Sequence, residues 1–254
     1  QSLTGLKRLN IHGNRVVDLS PLKGLLALEV LEASGNRISD ISALSELTRM
    51  KVLHLKKNAI SDISSLEKLT LLISLDLERN QIENVEVIRG LIELNWLALG
   101  FNRIRKIESL SGLSRLRHLY LERNRLNGAA LQPIEGLLAL RTLSLRGNQV
   151  DDINALTGMN QMSWLELDDN RIVDVTPLAD MVLMEKLYIE NNRVTKLAPL
   201  VKLVALKKFL ARGNSIPSRQ STMLSKALPN CNEFKAGVFS TIPPRRRPSI
   251  PKDK

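Results

Sequence analysis

An asparagine returns through this chain at a nearly fixed interval: Asn14, Asn36, Asn58, Asn80, Asn102, Asn124, Asn148, Asn170, Asn192 and Asn214. Every step is 22 residues except Asn124 to Asn148, which is 24. Such a period constrains a fold strongly, because each copy must be one supersecondary unit that buries its face only against its neighbours. The apolar residues keep the same phase. Leu72, Leu75 and Leu77 precede Asn80, and Leu94, Leu97 and Leu99 precede Asn102. Ile38, Ile41, Leu44 and Leu47 follow Asn36. The unit reads L-x-x-L-x-L-x-x-N-x-I-x-x-I-x-x-L-x-x-L.

In L-x-L the leucines alternate with outward residues, which predicts a short strand with one buried face. Stacked strands then make a parallel sheet, and the remaining Leu and Ile of each turn close the core behind it. Each ladder asparagine is expected to be buried, its amide bonding backbone groups that no sheet partner reaches. The same group in all ten copies is a structural signature rather than a catalytic one. Only 3% of the residues are aromatic, so the core must be aliphatic.

This pattern resembles the leucine-rich-repeat family, in its 22-residue class, as found in the regulatory subunit of type-1 protein phosphatase and in bacterial internalins. The resemblance covers residues 3 to about 234. It implies an α/β leucine-rich-repeat solenoid, a horseshoe. The parallel sheet would line the concave face, short 3-10 or loop segments the convex face, and a helical cap would close the C-terminus. Leu3 and Leu6 already stand in mid-repeat phase. The N-terminal cap is therefore expected to be missing, with the natural protein extending upstream. Residues 218–228 are expected to form the cap helix with Met223, Leu224 and Leu228 inward, and Leu228 to Phe234 a last turn and strand. The two extra residues within 126–131 are read as a wider outer turn.

The repeat domain is accordingly placed at residues 1–234. Residues 235–254 hold four prolines and Arg245, Arg246 and Arg247, and read as a disordered basic tail. The chain carries a formal charge of +11, and this tail holds a concentrated share of it.

Once the phase is fixed, the outward strand residues can be read off. Trp96, Tyr120, Trp164 and Tyr188 all fall on the concave face, with Phe101 just beyond its strand. Asp76, Glu78, Glu122, Glu166, Asp168 and Glu190 accompany them. Trp and Tyr often dominate protein interfaces. These eleven residues are the candidate partner-binding set, and stacking between neighbouring aromatics is the competing reading. An acidic, aromatic centre suits a protein partner with a basic or mixed surface, and would repel a phosphate backbone. Arg15, Arg37 and Arg171 precede Asp18, Asp40 and Asp174 by three residues, and are expected to form solvated ion pairs with them.

The function expected is a non-catalytic scaffold for protein–protein interaction, monomeric, with no cofactor, metal or small-molecule substrate. Three narrower alternatives are a regulator of a type-1-like phosphatase, an internalin-like bacterial surface or secreted protein, and a nucleic-acid-associated protein using the arginine edge and tail. Nucleic acid is disfavoured by the acidic centre. A site outside the bacterial cytoplasm or at the cell surface is slightly favoured. No run of about 18 apolar residues is present to span a membrane. The single cysteine, Cys231, allows no internal disulfide. His12, His54 and His118 stand in repeats 1, 3 and 6, too far apart at about 4.8 Å per strand to share a metal. His54, Asp76 and Ser74 sit on adjacent strands like a triad, on an open sheet without oxyanion donors.

Overall fold

Each repeat contributes one short strand around the first leucine of its L-x-L segment, three residues long in the first nine repeats and five in the tenth. The computed structural model describes residues 3–237. The strands are β1 (Arg8–Asn10), β2 (Val30–Glu32), β3 (Val52–His54), β4 (Ser74–Asp76), β5 (Trp96–Ala98) and β6 (His118–Tyr120). They continue as β7 (Thr142–Ser144), β8 (Trp164–Glu166), β9 (Lys186–Tyr188), β10 (Lys208–Arg212) and β11 (Glu233–Gly237). All pair in parallel and in sequence order, as one eleven-stranded sheet. The register keeps the repeat phase: Leu31 faces Leu53, Leu53 faces Leu75 and Leu75 faces Leu97. A slip of one residue would turn this column out to solvent, so the buried leucines fix the register.

Behind the sheet run short 3-10 turns, such as Ser42–Leu44 and Ser64–Leu66. Their apolar residues close the core: Ile38, Leu44, Leu47 and Met50 are fully buried, like the strand leucines. The aspartates before these turns do not pair with the arginines. Asp18 Oδ1 accepts the Ser20 N–H at 2.7 Å, Asp40 that of Ser42 at 2.8 Å, and Asp174 that of Thr176 at 2.9 Å. Among the described residues, Arg15, Arg37 and Arg171 form no ion pair with them. The expected salt bridges are replaced by turn caps because the orphan N–H of each 3-10 start is nearer and fixed. The hydrogen bonds from Ser20, Ser42 and Thr176 hold the three carboxyls below the ordinary aspartate value.

The asparagine ladder joins repeats rather than staying within them. Asn102 Nδ2 donates to Leu99 O in its own turn and to Leu77 O in the preceding repeat, both at 3.0 Å. Its Oδ1 accepts the Ile82 N–H at 2.9 Å. The same exchange runs from Val16–Asn36 to Val194–Asn214. Burial is not uniform: Asn214 is wholly buried and Asn80 nearly so, Asn36 and Asn58 are half-buried, and Asn14 is exposed. Asn14 bonds only Ile11 O and His12 O, within its own turn.

The residue before each ladder asparagine takes a left-handed backbone, from Gly13 at φ +68° through Phe101 at +55° to Gly213 at +70°. Four of these ten positions are glycine, the residue that adopts this conformation without strain. The two-residue insertion lies in the longest outer turn, Ala129–Ile134, with Asn127 bridging Gln149. Helix α1 (Ser218–Ala227) covers the last repeat with Leu224 and Leu228 buried. Met223 is 37% exposed, against expectation. It directly precedes Leu224, and neighbours along a helix point about 100° apart. Strand β11 runs to Gly237, three residues past the boundary drawn at 234. Phe234 packs on Phe209 at 5.3 Å, and Lys235 pairs with Glu233. The tail from residue 238 lies outside the described residues.

Candidate partner-binding face

The pleat places alternate residues of every strand on the face away from the core. Trp96, Tyr120, Trp164 and Tyr188 all stand there, each half-buried. They do not form one set. Trp96 and Tyr120 lie with ring centroids 5.6 Å apart, and His54 continues the row at 5.8 Å from Trp96. Trp164 and Tyr188 are instead each met by a lysine of the following strand. Lys186 Nζ stands 4.4 Å from the Trp164 centroid, and Lys208 Nζ stands 5.5 Å from that of Tyr188. Phe101 holds the left-handed position of its repeat, with the Arg79 guanidinium 3.9 Å from its centroid. Stacking thus joins repeats 5 and 6, while cation–π contacts occupy repeats 8 and 9.

The carboxylates differ as much. Asp76 and Asp168 are 9% exposed, not open on the face as their phase suggests. Asp76 Oδ1 accepts the Glu78 N–H at 2.9 Å, and Asp168 Oδ1 that of Glu190 at 2.7 Å. Each side chain thus turns down onto the strand end. Burial raises both carboxyls, Asp168 to about 7. Glu78 is paired with Lys56 and with Arg79. Glu166 accepts the Trp164 Nε1–H at 3.1 Å and the Ser144 hydroxyl at 2.9 Å. Glu122 lies over Gly100: a Cβ there would come 2.5 Å from its carboxyl carbon. Burial raises the Glu122 carboxyl, and its Oε2 is buried without a hydrogen-bond partner.

The triad-like reading changes membership. His54 Nδ1 meets Glu32 Oε2 at 2.9 Å and its Nε2 meets Ser74 Oγ at 3.0 Å, while Asp76 takes no part. Glu32 and Asp76 are both register partners of His54, but the Asp76 carboxylate is turned to the Glu78 N–H, which leaves Glu32 to meet the imidazole. The Ser74 N–H is donated to Lys51 O and that of Trp96 to Ile73 O, so the adjacent strand amides are committed to the ladder. Among the described residues, no three His, Cys, Asp or Glu side chains are grouped to hold a metal, and no helix is long and apolar enough to cross a membrane. The repeat phase puts Lys186, Lys208 and Glu32 on this face, but it does not give their contacts with Trp164, Tyr188 and His54. Lys186 and Glu32 sit in the same column as Trp164 and His54 one repeat away, whereas Lys208 is in register with Lys186 and reaches Tyr188 diagonally.

A family model described as leucine rich repeat matches residues 84–126, and one described as leucine rich repeats in two copies matches 4–46 and 48–90. No sequence among the curated proteins matches the chain. Among solved structures it is similar to an internalin (inlF) of Listeria monocytogenes, with 27% identity and a TM-score of 0.79, over 94% of this chain and 77% of that one. A second internalin of that organism, inlC2, gives 29% identity and a TM-score of 0.63, over 82% of this chain and 81% of that one. A leucine-rich-repeat protein of Leptospira interrogans shares the fold at 23% identity and a TM-score of 0.84. The match covers 93% of this chain and 61% of that one.

Proposed function

The chain belongs to the leucine-rich-repeat family, and on that premise we propose that it is a non-catalytic scaffold holding a protein partner on its concave face. The observation that carries this reading is the segregation of aromatics. The core excludes Trp and Tyr, while the sheet face collects all four of them. Large amphipathic side chains on a rigid sheet anchor partners at low entropic expense. Trp96 and Tyr120 form the central anchor, because among the described residues no lysine lies over their rings as Lys186 and Lys208 do over Trp164 and Tyr188. Phe101, Asp76, Glu78, Glu122, Glu166, Asp168 and Glu190 surround the anchors and set the partner's orientation. The partner carries a basic or mixed surface.

The likeness to two internalins supports the narrower reading of a bacterial surface or secreted binding protein over a phosphatase regulator. The test is affinity capture from the source organism with the native chain and with a Trp96→Ala/Tyr120→Ala variant. A partner lost with the variant supports the concave site. A partner retained with undiminished affinity overturns it.

A further inference from the structure

Six cations crowd the rim where the strands of repeats 4, 5 and 6 turn toward the outer surface: Arg79, Arg103, Arg105, Lys106, Arg123 and Arg125, all exposed. The fold stacks them. The Arg103 N–H donates to Ile82 O and the Arg125 N–H to Ile104 O, each at 2.9 Å, so one turn position recurs in successive repeats. The Arg79 and Arg123 guanidiniums stand 3.9 and 5.8 Å from the Phe101 centroid, held against one ring that does not neutralise them. Arg79 pairs with Glu78 and Arg103 with Glu83, at 3.1 and 3.8 Å. Among the described residues, Arg105, Lys106, Arg123 and Arg125 form no ion pair. Lys56 also pairs with Glu78, Arg89 pairs with Glu86, and Glu108 and Glu122 lie beside the cluster. Each group counted once, eight cations against these five glutamates leave a net charge of +3.

The excess stops at both ends. In repeat 3 Asp62 balances Lys57, and in repeat 7 Arg146 is paired with Asp169 while Asp151 and Asp152 bring negative charge. The cluster therefore spans two strand steps, about 10 Å along the sheet. Repeats 5 and 6, which hold five of its six cations, also hold the stacked pair Trp96 and Tyr120. Resting on the concave-face reading above, we propose that this rim binds a short acidic segment of the protein partner, a few Asp or Glu residues, while Trp96 and Tyr120 hold the partner's body. Five of the six cations are arginines, whose planar forks take a carboxylate by two bonds at once and are more weakly hydrated than an ammonium. The short extent favours a peptide over a nucleic acid, because a phosphate backbone carries its charge on past the patch and would meet Asp151 and Asp152.

An acetylated and amidated Asp-Glu-Asp-Glu peptide is the probe, titrated into the whole chain at low salt and followed by amide NMR shifts. The expected result is saturable shifts at Phe101, Arg103 and Arg125. Affinity should fall about fivefold or more in Arg105→Gln/Arg125→Gln and stay unchanged in Lys23→Gln/Arg49→Gln, which removes the same two charges elsewhere on the surface. Matching thermal melts show that both variants are folded. No saturable shift, or equal loss in both double variants, would overturn the rim site. So would a long single-stranded oligonucleotide that binds at these residues where the peptide does not. The two readings fail separately. A captured partner that tolerates Arg105→Gln/Arg125→Gln but is lost with Trp96→Ala/Tyr120→Ala removes the acidic contact and keeps the concave site. A partner that is lost with the first variant and tolerates the second keeps the rim and removes the concave site.

Discussion

Trp96 and Tyr120 stand on neighbouring strands with ring centroids 5.6 Å apart and planes tilted by 49°. The two rings therefore brace one another before any partner arrives. A double-mutant cycle with Trp96→Ala and Tyr120→Ala, read by urea unfolding, is expected to give a coupling of about 0.5–1.5 kcal/mol. The pair Trp164 and Tyr188, each beside a lysine instead, is expected to couple by less. Equal coupling in both pairs would contradict the division into one stacked pair and two cation–π contacts.

The ladder predicts a graded cost of asparagine replacement. Asn102→Ala orphans the Ile82 N–H and removes two donors from buried carbonyls. It should destabilise by about 2–4 kcal/mol. Asn14 is exposed and bonds only its own turn, so Asn14→Ala should stay within about 0.5 kcal/mol of the native chain. Chemical denaturation of the two variants side by side checks the ranking.

Burial pushes the Asp168 carboxyl up to about 7 from an ordinary 3.8, against the Glu190 N–H bond and the Arg146 charge, which lower it. An acid raised in this way keeps its proton longer folded than unfolded. Between about pH 4 and 7 the folded chain binds more protons, and stability falls as pH rises. Asp76 and Glu122 contribute with the same sign. Asp168→Asn retains an acceptor for the Glu190 N–H and removes the titration. It should be more stable than the native chain at pH 8 by a few kcal/mol at most, with the two converging near pH 4. Thermal melts across that range decide it, and a native melting temperature that rises from pH 4 to 7 with no gain from Asp168→Asn would refute the assignment.

The left-handed position before each ladder asparagine makes opposite predictions for two residues. Lys57 adopts φ +55° with a side chain, so Lys57→Gly should be neutral or stabilising by up to about 1 kcal/mol. Gly147 adopts φ +69°, and a Cβ there would lie 3.0 Å from Arg123 Cγ. Gly147→Val adds β-branching to that strain and should destabilise by about 2 kcal/mol or more. Unfolding midpoints of the two variants test the pair.

The strands, their order and their buried leucines were legible in the sequence because a 22-residue period with an internal period of two admits one packing. The site was legible only as far as the period reaches. It placed Trp96, Tyr120, Trp164 and Tyr188 on one face, but phase alone does not say that Lys186 lies on Trp164 or that Asp168 turns down to the Glu190 amide. Those outcomes depend on side-chain rotamers and on competition between neighbours. The Asp18 to Arg15 pairing failed for the same reason, since the Ser20 N–H was a closer and more rigid partner. The left-handed residue could have been found from sequence, because glycine recurs at positions 13, 35, 147 and 213, one before the asparagine.

Each ladder asparagine from Asn36 to Asn214 gives its oxygen to the repeat before it and shares its amide between that repeat and its own. The recurring unit of this architecture is therefore the seam, and no single repeat is a self-sufficient block. Excising a segment of one full period, from any point to the same point one repeat later, rejoins two half-seams of identical chemistry. Lengthening or shortening by whole periods leaves every remaining asparagine with a complete set of partners, whereas a cut of any other length strands one. A chain built this way can change its reach by gene-level duplication while its hydrogen bonding stays whole, and the face it presents to a partner grows or shrinks in steps of one strand.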